Sequence, residues 1–294
     1  MIFKGRFEKG NIPWNKKQVK KNCLFCRRQI EISQSRHKEG RGKFCSLNCR
    51  RNYKYKLAKG FILTEDLAEL IGAIIGDGCI NKNYRRKDYR IQISGNKNED
   101  KEYYDKYLPH LVFRCLGILP RPYLATNGAY ILQFQSEPFR IFLNSLGIEP
   151  RKTKTVRIPF EIRKNIFFLQ ACIRGIADSD FTFICTKRKK DKPNNYPRIC
   201  AQFASKPLVK DLEWALRGMG FTLNTKYEYF REDKRGFSYI TNFINLDGPY
   251  NLRRWLNLIG FSNQRIITRY QVWMKTGILK PKTTIEERKR ILMG

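Results

Sequence analysis

Acidic residues are scarce in this chain. Asp and Glu number 26 against 59 Lys and Arg, for a formal net charge of +33. A surplus of that size destabilises a compact fold through self-repulsion unless a polyanion accepts it. Nucleic acid is the polyanion this composition fits. A long apolar run is also missing: the best candidate, from Phe61 to Ile80, is interrupted by Glu65, Asp66, Glu69 and Asp77. That excludes a bilayer-spanning helix there. No basic amphipathic helix and no lipidation motif stands out, so a membrane surface is not the expected partner. Residues 1–12 are mixed and basic without an apolar centre, so no signal peptide is read and the expectation is a soluble, intracellular protein. The nine cysteines are an odd number, four near the N-terminus and five scattered in apolar segments. This argues against a disulfide framework and for a metal site plus buried thiols. What is present suffices for a core: 294 residues, 41% hydrophobic and 13% aromatic, fit one large domain or two smaller ones.

One stretch and its echo organise the rest. Leu70-Ile71-Gly72-Ala73-Ile74-Ile75-Gly76-Asp77-Gly78 is an apolar helix ending on a carboxylate, and Ile173-Arg174-Gly175-Ile176-Ala177-Asp178-Ser179-Asp180-Phe181 repeats its rhythm. Gly72 and Gly76 make a small-residue row on one helix face, and Gly175 and Ser179 make another. Such rows let two backbones approach closely. If the rows face each other, Asp77 and Asp180 arrive side by side. Two adjacent carboxylates repel unless a divalent cation lies between them, and a hard cation such as Mg²⁺ takes carboxylate oxygens while keeping water. A metal pair stabilises both the attacking and the leaving oxygen of a phosphodiester. The alternative is two buried helices whose acids are turn residues, and the repeat of the whole pattern counts against it.

Upstream, Cys23-x₂-Cys26 and Cys45-x₃-Cys49 are two close thiolate pairs separated by a short loop. Tetrahedral Zn²⁺ needs such a set, and four cysteines close the shell, so the site is structural. His37 is a candidate substitute ligand, otherwise a surface residue. Arg27, Arg28 and their basic neighbours are expected on phosphates. Residues 1–22 read as an extended basic arm with Lys16 and Lys17, or as a disordered tail. Residues 23–60 are the zinc module and linker.

After each motif the pattern turns to short strands. Cys79–Lys82 and Tyr89–Ser94 predict a hairpin, with Ile91 and Ile93 inward and a polar face of Asn81, Asn83, Arg85, Arg90 and Gln92. Arg pairs with guanine and Asn or Gln with adenine, so such a ribbon fits a major groove. An ordinary solvated face remains the alternative for any one of them. The matching positions downstream are Thr186, Arg188, Arg198 and Gln202. A helix is predicted over Asn98–Leu116 with a kink at Pro109, then a hairpin around Thr126-Asn127-Gly128 and a closing helix from Glu137. The same order recurs after residue 165. Leu143-Asn144-Ser145-Leu146-Gly147-Ile148 echoes Leu256-Asn257-Leu258-Ile259-Gly260-Phe261, and Tyr130–Phe134 echoes Tyr239–Phe243. The chain therefore predicts an α+β fold of tandem αββαββα halves, 61–150 and 151–263, with pseudo-twofold symmetry. A basic tail, 264–294, packs Arg265, Arg269, Tyr270 and Trp273 on the second half and ends in a surface helix.

These motifs resemble the two-motif, single-chain LAGLIDADG homing endonucleases. The resemblance spans both halves, and residues 7–17 are similar to the short DNA-binding segments attached to many such nucleases. It implies a monomer that binds a long double-stranded DNA site and cleaves it with Asp77 and Asp180, promoting intron mobility. Asp178 takes the first acid position of the motif, and Phe181 stands where Gly is usual. Gln133 and Asn242 fall near positions where the family often carries lysine, as candidates for positioning water or phosphate. The same family includes intron maturases, which act on intron RNA, so an RNA-binding splicing factor is the alternative, as is a DNA-binding regulator that does not cleave. The chain ends lack the residues that intein splicing needs.

Overall fold

The computed structural model describes residues 17–81, 89–150, 152–188, 193–232 and 236–294. The chain divides into two compact units, residues 1–61 and 62–294. The expected arm up to Lys16 lies outside the described residues. In the first unit β1 (Gln18–Asn22) pairs with β2 (Gln29–Ser33) as an antiparallel hairpin. Helix α1 (Gln34–Lys38) follows, then α2 (Leu47–Lys59). Its buried apolar side chains among the described residues are Cys23 and Ile32.

The second unit carries the duplication. The first half runs α3 (Glu65–Asp77), β3 (Gly78–Ile80), β4 (Arg90–Asn96), α4 (Lys97–Glu102), α5 (Leu108–Leu116), β5 (Pro122–Leu124), β6 (Ala129–Gln135) and α6 (Glu137–Ser145). A short helix α7 (Phe160–Arg163) leads into the second half. That half has α8 (Ile166–Asp180), β7 (Thr182–Thr186), β8 (Tyr196–Phe203), α9 (Lys206–Gly218), β9 (Asn224–Glu232), β10 (Ser238–Asp247) and α10 (Gly248–Leu258). The two four-stranded antiparallel sheets share one order, β3-β4-β6-β5 and β7-β8-β10-β9. The fold is thus a tandem αββαββα, α+β and pseudo-twofold, as the internal repeat predicts. The inward set on β4 is also as expected, with Ile91 and Ile93 fully buried.

Local chemistry fixes the ends of the helices. The Thr64 hydroxyl accepts the Leu67 N–H at 3.2 Å to cap α3, and Glu65 and Asp66 occupy its first turn. Asn165 caps α8 by accepting from Phe167 and Phe168. The helix expected over Asn98–Leu116 runs unbroken from Lys97 to Leu116, as α4, a π-helical stretch at Tyr103–Tyr107 and α5. Pro109 lies just after the π-helical stretch, so the irregularity sits where the proline removes an N–H from the helical ladder.

The motif helices α3 and α8 pack main chain against main chain. A Cβ on Gly72 would overlap the carbonyl oxygen of Cys172, and one on Gly175 would overlap that of Glu69. One on Gly76 would stand 2.6 Å from both Ser179 Cβ and Asp180 Oδ2. The two small-residue rows therefore face each other. Beside them Glu69, 1% exposed, receives the Arg174 guanidinium from the opposite helix and the Tyr107 hydroxyl at 2.6 Å.

The C-terminal segment touches both halves. It forms α11 (Gln264–Thr276) and α12 (Ile285–Met293). Trp273 packs on Phe183 and donates to Asn195 O, on the second half as expected. The last helix lies at the surface, as expected, with Glu286, Glu287, Arg290, Ile291 and Met293 exposed, but it buries Ile285 and, fully, Arg288. Its guanidinium reaches Glu99 of α4, the Thr268 hydroxyl and main-chain carbonyls of Thr283 and Arg265. A buried guanidinium needs such partners, and a basic composition alone does not announce them.

Gly72→Ala tests the seam. On an exposed helix the change stabilises by about 1 kcal/mol. Here the overlap with Cys172 forces the helices apart, and a net loss of about 3 kcal/mol is expected in urea unfolding. A variant as stable as the wild type would show that the backbones are not in contact.

Candidate functional site

Asp77 is the last residue of α3 and Asp180 the last of α8. Both acids line one cleft of about 690 Å³ between the halves, together with Cys79, Asn81, Glu149 and Gln202. Glu149 adds a third carboxylate that the sequence pattern did not single out, because it lies in an irregular connector. Tyr104 registers the local field: burial first, then the charges of Asp77 and Asp100, raise its hydroxyl well above the usual phenol range. Two carboxylates converging on a polar cleft form an oxygen donor set that fits a hard divalent cation.

A second cleft of about 510 Å³ shares Asp180 and Gln202 with the first. Arg198, Lys226, Tyr229, Arg231 and Asn245 line it. Arg231 lies over the Phe243 ring at 4.9 Å, and Tyr229 meets that ring edge-on. Lys226 is a basic side chain lining the same cleft as Asp180, where sequence reasoning found no lysine. Its register, opposite Phe243, was the available signal.

The ladders sort the remaining candidates. In the first half Cys79 pairs with Gln92, and Gln92 with Gln133. The Gln92 amide donates to Gln133 at 2.9 Å, and the Tyr123 hydroxyl donates to the same oxygen at 3.3 Å. In the second half Thr182 pairs with Cys200 and Cys200 with Asn245. Asn245 is therefore the counterpart of Gln133. Asn242, expected there, is 1% exposed. Its amide donates to Phe203 O at 3.1 Å and to Ala204 O at 3.4 Å, and its oxygen accepts the Glu228 N–H at 3.0 Å. The β9–β10 ladder is bulged there, with Tyr227 and Glu228 (φ 52°) on β9 opposite the single residue Asn242 on β10. Asn242 replaces ladder hydrogen bonds lost at this bulge.

Arg90 and Gln92 are half-buried on β4. Arg198 pairs with Asp247 at 2.5 Å. Thr186, whose hydroxyl donates to Tyr196 O, and Arg188, stacked 4.4 Å from the Tyr196 ring, stand at the far end of β7 and line neither cleft. Asn83 and Arg85, like Lys16, lie outside the described residues. Of the scattered cysteines, Cys172 and Cys185 are buried, and burial raises Cys185 to about 12. Cys79 is exposed in the first cleft instead of buried, because β3 turns it outward.

In the first unit the Sγ atoms of Cys23, Cys26, Cys45 and Cys49 lie within 4.8 Å of one another, a group that could hold a metal ion. Cys23 N donates to Arg28 O, Arg27 N to Cys23 O, and Leu24 N to Lys43 O, tying both pairs together. The Ser46 hydroxyl accepts the Cys49 N–H at 3.1 Å at the start of α2. The Sγ separations of 3.6 Å (Cys26 to Cys45) and 3.4 Å (Cys45 to Cys49) approach the roughly 3.8 Å edge of a tetrahedral Zn–S₄ site. Burial works to raise the Cys23 thiol, yet backbone N–H groups of Cys26, Cys45 and Phe25 hold it at about 6. The Cys49 and Cys26 sulfurs push Cys45 up to about 12. His37 is exposed and outside the cluster. Lys17, Arg27 and Arg28 are exposed on the same unit. No helix among the described residues is long and apolar enough to cross a membrane.

No protein-family model matches the chain. Replication factor C small subunit of Methanocaldococcus jannaschii is 27% identical over 202 residues, 68% of this chain. The match spans only 10% of that relative's length. Among solved structures, the homing endonuclease I-WcaI bound to its DNA recognition sequence has a TM-score of 0.42 at 16% identity, over 78% of this chain and 93% of that one. I-SmaMI bound to an uncleaved DNA target in the presence of calcium ions gives 0.45 at 12% identity, over 79% and 99%. The LAGLIDADG meganuclease I-AabMI bound to uncleaved DNA gives 0.44 at 10% identity, over 79% and 99%.

Proposed function

We propose that the chain is a site-specific endonuclease for double-stranded DNA, of the LAGLIDADG homing type, promoting intron mobility. The observation that carries this reading is the convergence of Asp77 and Asp180, one from each half, on one cleft at the end of a glycine-lined helix pair. A site built symmetrically from two halves suits a duplex, whose two strands present the same chemistry in opposite directions. The net charge of +33 supplies the attraction to phosphate.

In this reading Asp77 and Asp180 hold Mg²⁺. The bound cation supplies Lewis acidity and a water acidified enough to attack a phosphodiester. The hydrogen-bonded amides of Gln92 and Gln133, with the Tyr123 hydroxyl, orient polar groups on the Asp77 side. Lys226 and Arg231 place cationic charge on the Asp180 side, against phosphate oxygens. The sheet residues Asn81, Arg90, Arg198 and Gln202 contact bases or phosphates along the flanks.

The four-cysteine cluster holds Zn²⁺ and folds the first unit. Burying Ile32 contributes about 2 kcal/mol, whereas a structural zinc site contributes on the order of 10 kcal/mol. The metal, not the core, therefore decides whether this unit folds. Its exposed Lys17, Arg27 and Arg28 extend the phosphate contacts.

Three outcomes test the reading. Incubation with a randomised duplex library and Mg²⁺ should enrich a cleaved site, and Asp77→Asn or Asp180→Asn should abolish double-strand cleavage of it while leaving binding intact. Undiminished cleavage by both variants would sink the assignment. Binding to that site should weaken by on the order of 10⁴-fold between 50 and 200 mM salt if about eight phosphates are contacted; a flat salt dependence contradicts a phosphate-tracking surface. Cys26→Ser should strip the zinc, measured by elemental analysis, unfold residues 17–59 and weaken DNA binding. A variant that keeps its zinc and its affinity removes the module from the account.

A further inference from the structure

We propose that Arg265 is a positioning residue for Asp180, acting through the main chain of the last turn of α8. Its Nη2 donates to the carbonyl oxygens of Asp178 and Ser179, both at 3.0 Å. These are the two residues immediately before Asp180. Its Nε donates at 2.9 Å to Asp100, an 8% exposed carboxylate on α4 of the first half. Asn263 repeats the gesture: its side-chain amide donates to Asp100 at 2.8 Å and to Asp178 O at 3.0 Å. The main-chain N–H groups of Ser262 and Asn263 close the grip on the Asp178 carboxylate.

The physical demand is general. The last carbonyls of a helix have no partner within it, and a cation there is favoured by the helix dipole. A fraying last turn would let the Asp180 carboxylate wander. Arg265 supplies two charge-assisted hydrogen bonds to these carbonyls from Nη2 while its Nε holds Asp100, a spread of donors that the compact ammonium of lysine does not reproduce. Asp100 holds that fork from the other half, so the grip crosses the pseudo-twofold axis.

The grip is one-sided. The repeat that aligns Gly147 with Gly260 sets Glu149 and Pro150 against Ser262 and Asn263, and the motif repeat that aligns Asp77 with Asp180 sets Ile75 against Asp178. Pro150 has neither a main-chain N–H nor a side-chain amide, and Ile75 has no carboxylate. The same clamp cannot form behind Asp77. Arg265 therefore bears on one of the two acids only.

This inference rests on the reading that Asp180 holds a divalent cation. The test is Mn²⁺ titration of the full zinc-loaded chain, followed by electron paramagnetic resonance. The variants are Asp180→Asn, Arg265→Met, Arg265→Lys and the double variant Asp180→Asn/Arg265→Met. Arg265→Met should weaken the Mn²⁺ binding that Asp180→Asn removes by on the order of 10- to 100-fold. Arg265→Lys should restore part of it, and the double variant should bind no worse than Asp180→Asn alone. On the selected duplex, Arg265→Met should slow the strand cut at Asp180 and spare the other. Wild-type Mn²⁺ affinity in folded Arg265→Met and Arg265→Lys, with Asp180→Asn impaired, overturns the positioning role alone. Unimpaired Asp180→Asn overturns the metal reading, and this inference with it.

Discussion

Main-chain contact between α3 and α8 is the constraint on which the second unit depends. Gly72 and Gly175 leave no side chain between the helices, so each backbone meets a carbonyl of the other. Packing at that range gains dispersion contacts that a larger residue would forfeit. It also fixes rotation, because only one face of each helix is bare. Glu69 and Arg174 reinforce the choice. A carboxylate 1% exposed is costly unless it is paired, and Arg174 and Tyr107 are positioned to satisfy it in this orientation only. With rotation and separation fixed, the helix ends must bring Asp77 and Asp180 to the same cleft. Each sheet then continues from its own acid, Gly78 starting β3 and Thr182 starting β7.

Much of this was legible because it obeys short periods. The small-residue rows and the i, i+2 alternation of Ile91 and Ile93 are local patterns, and the structure follows each of them. What was not legible depends on distant partners. The echo between Tyr130–Phe134 and Tyr239–Phe243 suggests that Asn242 matches Gln133, yet the strand ladders that start beside each acid make Asn245 the counterpart. Similarity of text does not report which residues pair across strands. Lys226 escaped for that reason, since its place in the cleft that Asp180 also lines follows from strand register. Arg288 reads as one more surface cation until Glu99 of α4 and the Thr268 hydroxyl are folded around it. The π-helical stretch before Pro109 is subtler still. Proline announces a disturbance, but which turn absorbs it is decided by packing of Tyr103 and Tyr104, both nearly fully buried.

The large positive charge is not spread uniformly over function. Several cations are consumed inside the fold: Arg174 on Glu69, Arg157 on Asp211, Arg265 on Asp100 and Arg288 on Glu99. Each of these acids is buried or partly so, and each arginine offsets the cost of desolvating it. These four acids are committed to structure, whereas Asp77 and Asp180 line a cleft together with Glu149. The remaining lysines and arginines on the sheets and on the first unit carry the excess that a polyanion would neutralise.

Duplication gives the halves one topology but does not oblige them to share chemistry. Around Asp77 the ladder offers neutral amides and a phenol, Gln92, Gln133 and Tyr123, hydrogen-bonded to one another. Around Asp180 it offers Arg198, Lys226 and Arg231 with two aromatic rings. The supports differ as well, since Pro150 and Ile75 deny the first half the carboxylate and amide that anchor the second. A symmetric frame with asymmetric lining has a physical use. The frame sets the spacing between two reacting positions, which must match on both strands of a duplex. The lining can then diverge freely, because the sequences flanking those positions need not be symmetric. The seam tolerates no such divergence: any Cβ at Gly72 or Gly175 strikes backbone, so the one feature both halves must keep is the absence of a side chain.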